Sequence, residues 1–189
     1  MQESNYLKGD VNNIQQLLII PCLKDVMMRD LASLLKLCKL RHYSPGEWII
    51  FEGDKDPWIY FLLSGKVRIV KKGVTIIRLD KVGELFGEMR LIDNLPRSAS
   101  ARAEGKTICL AVDTSASHRL DSQEEIQNLV TLFYKIFSKI LTQRLRLANN
   151  ELVEIKKEVE RLKGGGTTKK PGLLQEETGS GNVFAIEAS

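Results

Sequence analysis

The chain has 189 residues, room for one ordinary domain with extensions, since compact domains run to about 100–200 residues. Hydrophobic residues make up 43% and charged residues 28%, which excludes a wholly disordered chain and allows a sizeable core. The 28 Lys and Arg against 24 Asp and Glu leave a net charge of +4. That excess excludes a polycationic surface overall, so it permits nucleic-acid binding without indicating it.

Residues 11–40 read as mostly helical: Leu31, Leu34, Leu35 and Cys38 recur at three- and four-residue steps, Asp30 suits a first turn, and Pro21 divides the stretch. Between residues 41 and 113 the signal changes to short branched and aromatic runs at 48–51, 59–63, 67–70, 74–79 and 107–112. Turn residues separate these runs, among them Pro45, Gly46, Gly53, Gly65, Gly73 and Gly105. Many short strands without helical crossovers predict a mainly β fold with flanking helices, an antiparallel β jelly-roll barrel. Trp48 and Trp58 fall within it and are expected to pack the barrel.

From residue 121 the pattern is helical again as far as 163. Leu129, Phe133, Phe137 and Ile140 form one stripe, expected to pack on the domain's own barrel. Beyond it a heptad register begins, with Leu145, Leu152 and Val159 at a and Leu141, Ala148, Ile155 and Leu162 at d. Glu151 and Glu158 at g face Lys156 and Lys163 at e of a parallel partner, so this long C-terminal helix is expected to form a homodimer. Three glycines from Gly164 stop the helix, and residues 167–189 are rich in Gly, Ser, Thr and Glu. The expected organisation is an N-terminal helical segment (1–40), a barrel (41–120), a C-terminal helix or coiled coil (121–163) and a flexible tail (164–189).

Cys22, Cys38 and Cys109 are odd in number and widely spaced, so they make neither a CxxC metal pair nor an even disulfide set. A reducing, cytoplasmic setting is the expectation. The opening residues lack the pattern of an export signal, and no apolar run approaches the roughly 20 residues that cross a bilayer, so no membrane partner is expected. His42 and His118 lie apart from any acid or thiol at metal spacing. Asp113, Asp121, Glu124 and Glu125 gather where negative charge suits a helix start. Without a nucleophile and base, a Walker loop or a metal motif, the reading is of a protein that is not an enzyme.

The most informative stretch is 86–100, FGEMRLIDNLPRSAS. Gly87 ahead of a short helical turn allows backbone N–H groups close to a phosphate. Glu88 can accept hydrogen bonds from a sugar hydroxyl, and Arg97, nine residues on, can present a fork of donors to phosphate oxygens. This stretch resembles the phosphate-binding cassette of the cyclic nucleotide-binding domain family, which reads F-G-E, a short helix, then P-R-S-A or P-R-A-A. Upstream, YSPGEWIIFEGD and WIYFLLSGKVRIV resemble the family's barrel hairpins, with Gly46, Gly53 and Gly65 at the turns, and the likeness covers roughly residues 20–162.

The resemblance implies a cyclic nucleotide ligand, cyclic AMP or cyclic GMP, and no covalent cofactor. It places Phe86, Gly87, Glu88, Met89, Arg90, Arg97 and Ser98 at the ligand. Glu88 would hold the ribose 2′-hydroxyl, Arg97 the cyclic phosphate, and Gly87 and Ser98 would add hydrogen bonds around it. By similarity to members of the catabolite-activator type, a polar residue of the last helix meets the base, with Asn149 first and Arg144 next. Arg90 stands where the family has a small residue; it can crowd the pocket, turn outward or add a second positive contact. Family members that act as transcription factors continue into a helix-turn-helix, where this chain has a Gly-rich stretch, so DNA binding by that route is not expected. The implied role is a sensor that relays ligand occupancy through its C-terminal helix to an unknown downstream protein. In the alternative, Glu88 and Arg97 pair with each other and the chain is a ligand-free dimeric adaptor.

Overall fold

A computed structural model describes residues 1–9 and 11–164. The tail expected over 164–189 lies outside the described residues from 165 onward. The chain divides between Arg144 and Leu145 into two units.

In the first unit, α1 (Val11–Leu17), a 3-10 turn opened by Pro21, and α2 (Met28–Lys36) precede most of the strands. Two antiparallel sheets follow. One is ordered β1-β2-β9-β4-β7, from β1 (Gln2–Glu3), β2 (Cys38–Tyr43), β4 (Trp58–Ser64), β7 (Leu85–Phe86) and β9 (Thr107–Asp113). The other is ordered β3-β8-β5-β6, from β3 (Trp48–Ile50), β5 (Val67–Lys71), β6 (Val74–Leu79) and β8 (Ser100–Ala103). This is the expected mainly β architecture with a long C-terminal helix. The sheets face each other without closing, for among the described residues no strand pair joins them.

β4 and β9 read as nearly continuous apolar runs because both faces of their sheet are covered. On one face, Ile59, Phe61, Leu110 and Val112 pack against the helices, together with Leu31, Leu34, Leu35 and Phe137. On the other, Tyr60, Leu62, Cys109 and Ala111 meet Val67, Leu79, Ala101 and Ala103 of the second sheet. Each large apolar side chain so buried contributes roughly 1.5–3 kcal/mol. The three cysteines are free, and burial pushes the thiols of Cys38 and Cys109 up, Cys109 to about 12.

Four strands, β1, β2, β7 and β8, lie outside the five runs of the sequence pattern. β2 reads CKLRHY and β8 reads SARA, polar or small residues of modest strand propensity whose place is set by pairing with β9 and β5. β2 begins at Cys38, inside the stretch that the helical periodicity covered. Trp48, expected to pack the barrel, is 37% exposed, with Arg102 over its ring; Trp58 does pack against the inter-sheet core.

The first residues form an edge strand on β2, tied by Glu3 to Lys39 at 2.6 Å and to Arg41 at 2.5 Å. Tyr6 donates its hydroxyl to Asp113 at 2.7 Å. The last helix, α4 (Gln123–Gly164), buries Leu129, Phe133 and Phe137 of the expected stripe, along with Ile136. In the second unit Leu145, Leu152, Ile155, Val159 and Leu162 are exposed. No helix among the described residues is long and apolar enough to cross a membrane. The chain passes from β7 on one sheet to β8 on the other through residues 87–99, and this crossing carries the candidate site.

Candidate functional site

Phe86 ends β7 and is buried, stacked on Tyr60 with ring centroids 5.1 Å apart. It therefore anchors the crossing in the core. Gly87 follows with φ +82°, where a side chain would be strained, and a Cβ there would meet Arg97 Nη1 at 3.0 Å and the Trp58 carbonyl oxygen at 3.2 Å. Glycine is required on both grounds. Glu88 opens a five-residue helix, α3 (Met89–Asp93), which ends on Asn94 in the left-handed conformation.

Arg97 is 5% exposed and almost saturated with acceptors. Nε and Nη2 donate to the two carboxylate oxygens of Asp56 at 2.9 and 2.6 Å. Nη1 donates to the Gly87 carbonyl at 2.5 Å, and Nη2 also to that of Trp58. Of the five N–H groups of a guanidinium, these bonds leave one, on Nη1. The backbone is tied as well: Arg97 N–H donates to the Asp54 carbonyl at 2.8 Å, and Gly53 N–H to the Arg97 carbonyl at 2.9 Å. The Glu-Gly-Asp-Lys-Asp turn thus positions the arginine.

Glu88 is 2% exposed, and its carboxylate accepts from Arg144 Nη1 at 2.8 Å. Arg144 also donates to the Leu85 carbonyl. Glu88 and Arg97 accordingly do not pair with each other; each has its own partner of opposite charge. Arg90 donates to the carbonyls of Leu95 at 3.1 Å and Asn94 at 3.4 Å, so it staples the end of α3. Met89 is exposed, and the Ser98 hydroxyl donates to its sulfur at 3.3 Å. The Ser100 hydroxyl accepts from Glu52 N–H at 2.9 Å. Asn149 lies in the second unit and is exposed.

A cavity of about 210 Å³ adjoins the guanidinium, walled by Asp56, Trp58, Gly87, Arg90, Arg97 and neighbouring residues. Phe86, Glu88, Met89 and Ser98 are not in its wall. It falls below the roughly 300 Å³ at which pockets for drug-sized ligands begin, so it has room for part of a larger ligand. Asp56 escaped the sequence reading because an acid in a Gly-containing turn looks like turn chemistry; two acids so close together, at 54 and 56, were its only local sign. Arg144, ranked behind Asn149 for the base, is the α4 residue that touches the predicted set within the first unit.

Residues 40–123 match the cyclic nucleotide-binding domain family. The chain is 32% identical over 101 residues to a cAMP-dependent protein kinase regulatory subunit of Eremothecium gossypii, covering 53% of this chain and 22% of that protein. It is 36% identical over 127 residues to the cyclic AMP receptor protein of Thermus thermophilus, covering 65% of this chain and 55% of the other. It thus spans about a fifth to about half of these relatives' length. The solved Thermus thermophilus catabolite activator protein superposes with a TM-score of 0.56 at 30% identity, over 72% of this chain and 63% of that one. A cyclic nucleotide-binding domain from Methylobacillus flagellatus shares the fold at a TM-score of 0.65 and 23% identity, over 80% and 88%. By sequence and by architecture, residues 40–123 of this chain belong to the cyclic nucleotide-binding domain family.

Proposed function

We propose that the chain is a cyclic nucleotide sensor, without catalysis of its own, that binds cyclic AMP or cyclic GMP at the sheet-to-sheet crossing. Arg97 holds the cyclic phosphate, Glu88 the ribose 2′-hydroxyl, and Gly87 and Ser98 contribute around the ring; Asn149 is assigned to the base. The observation that carries the reading is the pair of nearly sealed, oppositely charged side chains at the two ends of one short crossing, each oriented by a separate partner. Such groups cost free energy to bury and gain their use by recognising a ligand that bears both a hydroxyl and an anion.

Arg144 supplies the relay. A ribose hydroxyl that bonds Glu88 must share or displace Arg144, so occupancy acts on α4 through one ion pair, and the ligand shifts that helix by its differential affinity for the two arrangements. Relay to a downstream protein and homodimerisation through the exposed heptad seam complete the reading, with the cytoplasm as its setting. Titration calorimetry on protein confirmed free of ligand tests it: heat with cyclic AMP or cyclic GMP that disappears in Arg97→Ala is expected, and full affinity in that variant overturns the assignment.

The near-saturation of Arg97 favours a second reading, a ligand-free dimeric adaptor in which Asp56 permanently occupies the place of the phosphate. Absence of heat with either nucleotide selects it.

A further inference from the structure

The outer face of the four-stranded sheet carries side chains that the nucleotide site leaves unused. Cross-strand register sets Trp48 on β3 opposite Arg102 on β8, Arg102 opposite Arg68 on β5, and Arg68 opposite Arg78 on β6. Their chain neighbours Val67, Leu79, Ala101 and Ala103 are buried between the sheets, so strand alternation turns this row to the other face. With strands about 4.8 Å apart, three arginines fall within about 10 Å on a line across the strands, and an indole ends the line.

Like charges placed directly opposite one another weaken a sheet, and here the compensation is thin. Among the described residues the ion-pair partner of the row is Glu104, 3.3 Å from Arg78 Nε and 3.7 Å from Arg68 Nε. The second distance is too long for a hydrogen bond, and the buried Arg68 Nε has no hydrogen-bond partner among the described residues. Arg102 Nε is engaged by the Gly46 carbonyl at 2.6 Å. Arg78 remains 67% exposed. At the β3 end, Phe51 is 52% exposed and lies 5.5 Å from the Trp48 ring, which has the Arg102 guanidinium 5.2 Å from its centroid.

A partner for this face must bring anionic groups in a line and flat groups to lay on the rings. Single-stranded nucleic acid brings both, since its phosphates follow a row of cations while its bases stack on exposed aromatics. An acidic peptide answers the charge and leaves the rings unused, and a lipid surface offers the rings no planar partner. We infer that the outer face of the β3-β8-β5-β6 sheet is a docking surface for single-stranded nucleic acid, held by its phosphodiester backbone and base faces without sequence preference. Arg102, Arg68 and Arg78 take phosphates, and Trp48 and Phe51 take bases. The surface shares no residue with the cavity beside Arg97, so its test and that of the cyclic nucleotide reading are separable.

The test uses the full chain and fluorescein-labelled oligo-dT and oligo-rU of about 12 nucleotides, within the site sizes known for such surfaces, read by fluorescence anisotropy. Binding is expected with a log–log salt slope near −2 between about 50 and 200 mM, from three phosphates at about −0.7 each. Arg78→Glu, at an exposed position, is expected to weaken binding about tenfold, the loss of one charge contact and the gain of a repulsion, with a small fall in the unfolding temperature from the lost exposed pair with Glu104. Trp48→Leu is expected to weaken binding about fivefold or more, to abolish the quenching of indole fluorescence by the oligomer, and to leave the salt slope as it was. Failure to bind at about 100 µM protein in low salt, or unchanged affinity in Arg78→Glu, overturns the inference. So does binding of poly-glutamate or of phosphatidylglycerol vesicles at least as tight as that of the oligomers, which reassigns the face to an acidic protein or a lipid surface.

Discussion

Asp56 decides what Arg97 can do. It occupies the forked side of the guanidinium with both oxygens, so a phosphate must use the remaining Nη1 proton or displace the carboxylate. Removing one partner of a buried ion pair costs about 3–5 kcal/mol, but Asp56 is about one-third exposed and solvent screens the loss. Asp56→Ala is therefore expected to lower stability by roughly 2 kcal/mol, read as a shift in the denaturant midpoint. Gly87→Ala combines a left-handed φ with close approach to Arg97 and Trp58 and should cost about 1–3 kcal/mol by the same measure. Arg90 bonds the end of its own helix and also lines the cavity beside Arg97, so Arg90→Ala should weaken cyclic nucleotide binding severalfold while costing no more than about 1 kcal/mol of stability. Unchanged affinity in that variant would show that Arg90 serves only the end of α3.

The halves of α4 carry different apolar faces. Phe137 is buried among core residues and stacks on Phe133 at 5.6 Å; Phe137→Ala is expected to cost about 3–5 kcal/mol, checked by thermal or chemical unfolding. The seam of Leu145, Leu152, Ile155, Val159 and Leu162 is exposed instead, and an apolar stripe of that period is normally covered by another helix. A Leu152→Glu, Ile155→Glu double variant should sediment as a monomer if the seam forms the dimer, and an unchanged dimer would place the contact elsewhere. Glu158 is paired within its own helix by Arg161 at 2.7 Å, so its cross-helix match to Lys163 competes with a local bond.

Acid sensitivity belongs to the fold as a whole, because the groups concerned tie the first residues to strands distant in sequence. Burial by itself would raise the Glu3 carboxyl, yet hydrogen bonds and charge from Lys39 and Arg41 hold it below its ordinary value. At Asp113 burial is likewise outweighed, by hydrogen bonds from Ser115 and Tyr6, and the carboxyl ends below its ordinary 3.8. A depressed carboxylate stabilises the folded state above its unfolded pKa, and the contribution disappears as pH falls through the folded value. Stability should therefore drop below about pH 4, and the drop should be shallower in Asp113→Asn, measured as urea midpoints across that range.

Local order explains what could be read in advance. Gly87, Glu88 and Arg97 stand in one contiguous stretch, and the stripes of α4 follow the helical period, so both were visible as spacing along the chain. β2 was hidden because CKLRHY has no strand signature of its own and becomes a strand by pairing with a partner far away. The same distance hid Asp56 from Arg97, Arg144 from Glu88 and the alignment of Arg68, Arg78 and Arg102. Periodicity and turn chemistry are properties of neighbours along the backbone and survive in a string of letters. Which charge answers which, and whether three arginines share one face, depends on how separate strands come into register, and that is settled when the chain packs.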